Sequence, residues 1–440
     1  MQATAEKKSG FRWVVLAMIF LVYMIAGADR ANIGVVVPFI KESFHLTNTD
    51  IGAMTGLFYL GYAAIQIPSG IFFSKYGVRK LYSLSIVLTS VATFIMGAST
   101  NVFQMKAARL LLGVSEGPLN IGIITTINRW FPPQEKGTAT GVFMSSIKFA
   151  PAIVPPICAW IILMFGWREV FYIFAVPGFV SAVLWWWLVK DSPKDSPYCS
   201  PAEVDYINSG ETVQKTGGQE AKQQIKSLGW LDKVIRTKRI KLLDTNKSIL
   251  LSWNVWGCAL GYFFMVGITY AIMTWVPTYL VTVKKFSIIK MGFVAAAPWV
   301  GAMLGNLIGG LLSDRVFDKR RKPVMILTAA STVCMMYSLL YAPNDPLILG
   351  GVLLVAGILL NLGYSTFLVY PMGLATKQAC PFAASIINTA GSLGGAFAPF
   401  IVGVILDSFN WDIVFTFLSA SSLITLFILF TIIEPIEDKK

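Results

Sequence analysis

Charge is what this chain has least of. Only 13% of its 440 residues are Asp, Glu, Lys or Arg, and 55% are hydrophobic; a soluble domain carries about 25% charged residues. The shortage excludes an ordinary soluble fold and leaves an integral membrane protein. Histidine is scarcer still. The single one, His45, falls in a predicted loop, so none lies at membrane depth. The five cysteines (Cys158, Cys199, Cys258, Cys334 and Cys380) are scattered, with no C-x-x-C and no histidine nearby. Neither a metal site nor a disulfide framework is indicated, and no cofactor is expected. No cleavable signal peptide is visible either, since the first apolar stretch is too long and has no small-residue cleavage site. The formal charge of +13 does not point to nucleic acid, because the basic residues sit in alternate loops and not on one groove-tracking face.

What is present is long apolar runs. Hydropathy predicts an all-α protein of twelve transmembrane helices, at about 13–38, 51–73, 81–98, 104–127, 138–164, 170–189, 249–281, 289–312, 323–342, 347–375, 381–406 and 412–433. One polar segment interrupts them, so the expected division is a six-helix bundle over 1–190, a central loop over 191–248 and a second six-helix bundle over 249–440. Within that loop, Trp230–Leu243 has the pattern of an amphipathic surface helix. Lys and Arg set the orientation. With a cytoplasmic N-terminus, 27 of the 36 lie on the cytoplasmic side, including the Arg315–Lys322 cluster, Lys377, Lys439 and Lys440. Five lie opposite, and Arg30, Lys106, Arg109 and Lys148 fall inside helices. Both termini are therefore expected in the cytoplasm.

Those few buried charges carry the functional signal. Asp29 and Arg30 stand side by side in the first span, where a charged side chain costs roughly 2.5–3.5 kcal/mol on insertion scales. At 1.5 Å per residue, Glu116 lies about 20 Å from the cytoplasmic end of its helix, Arg109 about 10 Å further out, Asp29 about 25 Å in and Lys148 about 18 Å in. Arg109, Gly113, Glu116 and Gly117 share one helix face. Arg30, Arg109 and Lys148 against Asp29 and Glu116 sum to +1 with both acids ionised and +3 with both protonated. Burial favours the neutral carboxyl and a neighbouring guanidinium favours the ionised one. A cluster balanced in that way holds an anion more strongly when protonated. The competing reading is a set of salt bridges that only pin helices together.

The two halves resemble each other. Gly70 to Lys80, which includes Gly77 and Arg79, is echoed by Gly310, Asp314 and Arg315, and the two leading glycines are 240 residues apart. Such a repeat, with a site between halves at the midplane, is a secondary-transporter architecture.

These loops resemble the inter-helix signature G-x-x-x-D-R-x-G-R-R of the major facilitator superfamily. Ser74 stands where the first copy normally has Asp, and Phe317 where the second normally has Gly. A narrower resemblance, to the anion:cation symporter family, runs along nearly the whole chain. It rests on Asp29-Arg30-Ala31-Asn32-Ile33, the Arg109-x-x-x-Gly113-x-x-Glu116-Gly117-Pro118 run, Trp130 to Gly137, Thr274 to Leu280, and Asn388-Thr389-Ala390-Gly391. Members include bacterial galactonate, hexuronate and glucarate transporters and animal vesicular glutamate and sialic-acid carriers. The resemblance implies a proton-coupled symporter of a small organic anion in a bacterial or archaeal cytoplasmic membrane, expected as a monomer. It implies proton coupling at Asp29 and Glu116, and a substrate carboxylate at Arg30. Tyr62 matches a binding tyrosine of the family and Asn388 a substrate-contacting asparagine; Arg109 and Thr366 complete the candidate set. Gly70, Gly77, Arg79, Gly310, Asp314 and Arg315 correspond to its gating loops. Lys148 departs from the pattern, because sugar-acid carriers place a binding Gln beside it, where Ile147 stands here. Lys148 either binds a second anionic group, pairs with Asp29 or Glu116, or snorkels away. Sodium-coupled or anion-exchange transport remain alternatives within the class. An intramembrane enzyme would need a nucleophile and base that the spans lack, so none is expected.

Overall fold

The computed structural model describes residues 9–213, 229, 232–233, 235–318, 320–376 and 378–437. Trp230 and the basic residues Lys7, Lys8, Lys319, Lys377, Lys439 and Lys440 lie outside the described residues. The first half builds α1 (Phe11–Phe44), α2 (Asn48–Tyr76), α3 (Val78–Ala98), α4 (Val102–Trp130), α5 (Pro133–Phe165), α6 (Trp167–Leu188) and the short α7 (Pro201–Val213). Then come β1 (Thr237–Ile240), α8 (Asn246–Leu250), α9 (Trp253–Thr282), α10 (Ile288–Leu311) and α11 (Lys322–Ser338). The chain ends with α12 (Pro346–Asn361), α13 (Tyr364–Val369), α14 (Pro371–Leu374), α15 (Cys380–Ser408), α16 (Trp411–Thr431) and β2 (Glu434–Glu437). Eleven helical segments among the described residues are long and apolar enough to cross a membrane. The 29-residue α2 stands in sequence between the first two of them.

Local chemistry sets the helix ends. Asn101 accepts from the Gln104 amide at 2.9 Å, Asn410 from that of Ile413 at 3.2 Å, and Asp345 from Leu347 and Ile348 at 2.9 and 3.0 Å ahead of Pro346. These are N-caps, each satisfying amides that have no partner within the helix. The tenth predicted span is not continuous. It breaks at Leu362-Gly363, between α12 and α13, and the Gly363 amide donates to Thr328 Oγ1 at 2.5 Å.

The described residues form two compact units. The first takes Met1–Asn32, Gly61–Pro151 and Met164–Gln223; the second takes Ile33–Leu60, Ala152–Leu163 and Gln224–Lys440. Their borders run through α1, α2 and α5, so part of each of these three helices belongs to the second unit.

In the first unit, Leu16, Ile19 and Tyr23 of α1 join Tyr82, Ile123, Trp130, Phe143 and Trp185 in one apolar core. Its polar anchors come from far along the chain. Asp191, just past α6, accepts from the Val78 and Arg79 amides at 2.6 and 3.0 Å and so caps α3. Gly77 precedes that cap with φ 79°, and a Cβ there would lie 2.8 Å from the Asp191 carboxylate, so the position requires glycine twice over. Glu203 of α7 is fully buried. It accepts from the Ser9 hydroxyl, from the Phe11 and Arg12 amides at 2.9 and 3.3 Å, and from Arg12 Nη1 at 2.8 Å. Arg12 Nε reaches Glu135 of α5 at 2.7 Å. Thus α7 ties down the start of α1.

The second unit packs by close backbone approach. Gly301, Gly305 and Gly309 lie four residues apart on one face of α10, where an added Cβ would meet the carbonyls of Leu354, Ile358 and Leu362 at 2.1, 2.3 and 1.7 Å. At the start of α2, Asp407 accepts from the Asn48 and Thr49 amides at 2.9 and 2.8 Å. The expected surface helix at Trp230–Leu243 is corrected. Thr237–Ile240 is a strand, paired in parallel with Glu434–Glu437. Its partner lies at the far end of the chain, where no local periodicity reveals it. Glu434 accepts from the Arg321 and Lys322 amides at 3.0 and 2.7 Å and caps α11.

Two outcomes follow from these contacts. Gly305→Ala should destabilise the protein by about 1–3 kcal/mol, since a backbone carbonyl cannot step aside, whereas Gly310→Ala, with nothing within 4 Å, should be neutral or slightly stabilising. Thermal melts of both variants check the contrast. For Glu203, burial pushes the carboxyl up, but the hydrogen bonds from Ser9, Arg12 and the two amides outweigh it and hold the group below its ordinary range. A depressed carboxylate stabilises the fold above its unfolded value of about 4.3 and loses that contribution as pH falls through the folded value. Glu203→Gln should therefore cost about 2 kcal/mol near neutrality. The gap to the wild type should close in acid, as read from paired melts across pH 3–7.

Candidate functional site

Four of the predicted membrane charges of the first half, Asp29, Arg30, Arg109 and Glu116, come together within the first unit. Glycines allow it. A Cβ at Gly61 would lie 2.7 Å from the Leu110 carbonyl, and one at Gly117 would lie 2.1 Å from Ile65 Cγ2 and 3.0 Å from the Tyr62 carbonyl. Helices α2 and α4 therefore touch at the level of Tyr62 and Glu116. On the other side, Gly27 of α1 faces Ala150 of α5, 3.0 Å from the position of a Cβ.

Arg30 occupies the junction. Its Nε donates to Glu116 Oε2 at 2.7 Å, and the Glu116 side chain is fully enclosed. The guanidinium carbon lies 4.9 Å from the centre of the Tyr62 ring and 5.6 Å from that of Tyr23. An ion pair at this depth is held only where geometry and further contacts offset desolvation, and the two aromatic faces supply such contacts. Asp29 points elsewhere, as neighbours on a helix must, about 100° apart. One of its carboxylate oxygens lies 3.5 Å from Asn32 Nδ2, and its backbone carbonyl accepts from Arg109 Nη1 at 3.4 Å. Asp29, Arg109 and Glu116 are each at most 2% exposed. Lys148 is half-buried on α5, between Phe143, whose ring meets Tyr23 edge-on at 4.8 Å, and Ala150.

The second-half candidates belong to the other unit. Thr366 is buried in α13 and its hydroxyl donates to the Gly363 carbonyl at 2.6 Å, within its own turn. Asn361, beside the same break, donates to the Gly357 carbonyl at 3.0 Å. Asn388 is half-buried on α15, and its backbone carbonyl accepts from Ser392 at 3.1 Å.

Among the loop residues, Gly70 lies in α2 and Arg79 at the start of α3. The Arg79 Nε donates to the Trp186 carbonyl at 2.9 Å, and its guanidinium lies over the Trp186 ring. Asp314 binds Arg321 at 2.6 Å, and Arg315 is exposed. Sequence reasoning missed Tyr23. Its only signal is its place seven residues before Arg30, on the same face of α1. Asp191, Glu203 and Glu434 were missed as anchors because each acts on amides more than a hundred residues away.

Comparison with known proteins agrees with this architecture. The chain is 29% identical to a probable galactarate/D-glucarate transporter of Bacillus subtilis (strain 168), over 98% of this chain and 94% of that protein. It is 28% identical to a D-galactonate transporter of Escherichia coli O6:H1, over 96% of this chain and 95% of that one. A crystal structure of a bacterial homolog to the human lysosomal transporter Spinster, inward-facing and occupied, superposes with a TM-score of 0.72 at 15% identity, covering 96% of this chain and 93% of that one; it supports the fold alone. The profile of the Major Facilitator Superfamily matches residues 19–399 and, in a second match, 291–440. The chain therefore belongs to the Major Facilitator Superfamily, and it is an integral membrane transporter, not an enzyme.

Proposed function

We propose that this transporter is a proton-coupled symporter that carries a small organic anion, a sugar acid, into the cell by alternating access between its two six-helix halves. Both termini face the cytoplasm in this reading, which the distribution of 27 basic residues against five supports. The observation that carries it is the enclosed Arg30–Glu116 pair at 2.7 Å. In this enclosed place an ionised Glu116 already neutralises the Arg30 guanidinium and opposes a second negative charge beside it. While Glu116 is ionised it holds Arg30. A proton on Glu116 cancels that attraction and leaves Arg30 to the carboxylate of a substrate. Deprotonation reclaims Arg30 and expels the anion. Proton and anion are thereby bound together and released together. Asp29 is the second proton site, with Arg109 and Asn32 fixing its position. Tyr62 flanks the guanidinium, and Thr366 and Asn388 offer hydrogen bonds to substrate hydroxyls. The loops around Gly70, Gly77, Arg79, Gly310, Asp314 and Arg315 gate the cytoplasmic side.

Lys148 extends the reading to a second anionic group. Two B. subtilis substrates named for a relative, galactarate and D-glucarate, each carry two carboxylates. One carboxylate meets Arg30 and the other Lys148.

Uptake into proteoliposomes tests proton coupling. Galactarate should accumulate when the outside is acidified, and Asp29→Asn and Glu116→Gln should each abolish the accumulation. Uptake indifferent to the pH gradient in all three proteins sinks the coupling, and uptake that follows Na⁺ at fixed pH replaces the proton by sodium. For Lys148→Gln, affinity for galactarate should fall about tenfold relative to galactonate, roughly 1.4 kcal/mol. An unchanged ratio by isothermal titration removes Lys148 from the site.

A further inference from the structure

The first amides of a helix have no partner within it, and those of α2 are satisfied from two directions. Thr47 serves two of them: its hydroxyl accepts from the Asp50 amide at 3.0 Å and its carbonyl from the Ile51 amide at 3.3 Å. The amides of Asn48 and Thr49 go to Asp407, at the far end of α15. Asp407 Oδ1 accepts from the Asn48 amide and from Asn48 Nδ2 at 2.9 and 2.8 Å. Its Oδ2 accepts from the Thr49 amide and hydroxyl at 2.8 and 2.6 Å. Lys41 of α1 donates to Asn48 Oδ1 at 2.6 Å, which turns the amide nitrogen of that side chain toward Asp407. One carboxylate of the second half thus binds the start of a first-half helix through four hydrogen bonds.

Beyond this cap the two helices run antiparallel, backbone against backbone. A Cβ at Gly403 would lie 2.4 Å from the Asn48 carbonyl oxygen. One at Gly52 would lie 2.6 Å from that of Pro399, and one at Gly56 2.7 Å from that of Ala396. At these points no side chains interlock, so the helices can part without repacking rotamers. All of these residues belong to the second unit. Within it two more glycines join the halves: Gly34 of α1 against the Met273 carbonyl, and Gly292 of α10 against that of Pro155. Asp407 itself is exposed, unlike Asp29 or Glu116. When the cap opens, water takes the place of each partner, so the contact biases a conformation without freezing it.

We propose that Asp407 is the latch of an outer gate: its carboxylate holds α2 to α15, and the seam between them parts when the binding site opens to the outside. The inference rests on the alternating-access reading above, in which both termini are cytoplasmic and the α1–α2 turn therefore lies outside. Closure brings the carboxylate onto two helix amides that only water otherwise satisfies. The glycines then let the backbones meet and close the seam.

Cross-linking tests whether the seam must open. Cys199, Cys334 and Cys380, the native cysteines that are not buried, are first changed to Ser. In that background Thr49→Cys and Asp407→Cys are joined by a short, reducible bis-thiosulfonate reagent. Galactarate uptake into proteoliposomes should stop on cross-linking and return on reduction. Each single-cysteine variant, treated alike, should keep its untreated rate. Uptake that continues with the cross-link complete overturns the proposal, because it makes the seam static packing. A second arm needs no substrate. Spin labels on Glu42→Cys and Phe409→Cys, both exposed positions, report the separation of the halves at this end. Asp407→Ala should shift the populations about tenfold toward the longer distance, the scale of one hydrogen bond to a charged group. Gly56→Ala should shift them in the same direction, since its methyl group meets a carbonyl only when the seam is closed. A distance distribution unchanged by Asp407→Ala overturns the latch. If the wild type takes up no galactarate, the substrate reading fails and the labels still decide the gate. If uptake occurs and the labels do not respond to Asp407→Ala, the latch fails while the symport reading stands.

Discussion

A guanidinium and a carboxylate enclosed in one helix cluster are the constraint on which the first unit depends. Neither Arg30 nor Glu116 is cheap at this depth, and removing one partner strands the other, at a typical cost of 3–5 kcal/mol. The surrounding packing delivers them to each other at 2.7 Å. Gly61 and Gly117 bring α2 against α4, Gly27 brings α1 against α5, and Tyr62 and Tyr23 close over the guanidinium. The start of α1 is in turn held by Glu203 and Glu135. A helix bearing a buried charge is thus fixed at its start and at the charge, and between these points it is packed by Tyr23 and its apolar neighbours.

The spans were legible because hydropathy is a local property. The depth argument for Asp29, Arg109 and Glu116 was also legible, since helical rise converts position into height, and these residues do neighbour one another. Long-range partnerships were not. A carboxylate that caps a helix from 113 residues away leaves no pattern near that helix. The strand Thr237–Ile240 reads as part of an amphipathic surface helix until Glu434–Glu437 is beside it. Tyr23 is one aromatic in an apolar run, where core packing gives the same signal. The break at Leu362-Gly363 was half visible. Asn361, Tyr364 and Thr366 stand out as polar, yet periodicity alone does not say whether such residues interrupt a helix or decorate it.

The repeat, legible as two similar loops, has a physical counterpart in how each half ties off its third helix. Asp191 follows the last residue of α6 by three positions and caps the third helix of its half through the Val78 and Arg79 amides. Glu434 follows the last residue of α16 by three positions and does the same for α11 through the Arg321 and Lys322 amides. The spans between donor and acceptor, 113 and 112 residues, match in both halves. An anion at a helix N-terminus contributes about 0.3–1 kcal/mol, and up to about 2 when partly buried. Each half thereby locks its third helix to the end of its sixth.

This lock also accounts for where the two loop copies diverge. In the first copy the chain enters α3 through Gly77 at φ 79°, with the Asp191 carboxylate where a Cβ would be. No other residue fits without displacing the cap, so glycine is retained. In the second copy α10 runs on through a π-helical turn, Leu312–Val316, and Phe317 adopts φ −98°, an ordinary conformation for any side chain. The carboxylate that caps α11 arrives on β2, braced by the strand pairing with β1, and reaches the Arg321 and Lys322 amides, past position 317. Glycine is then not required at 317, and phenylalanine is tolerated. Departure from the family signature at Phe317 follows from a different route to the same capped helix, and the cap, more than the motif's spelling, is what the two halves share.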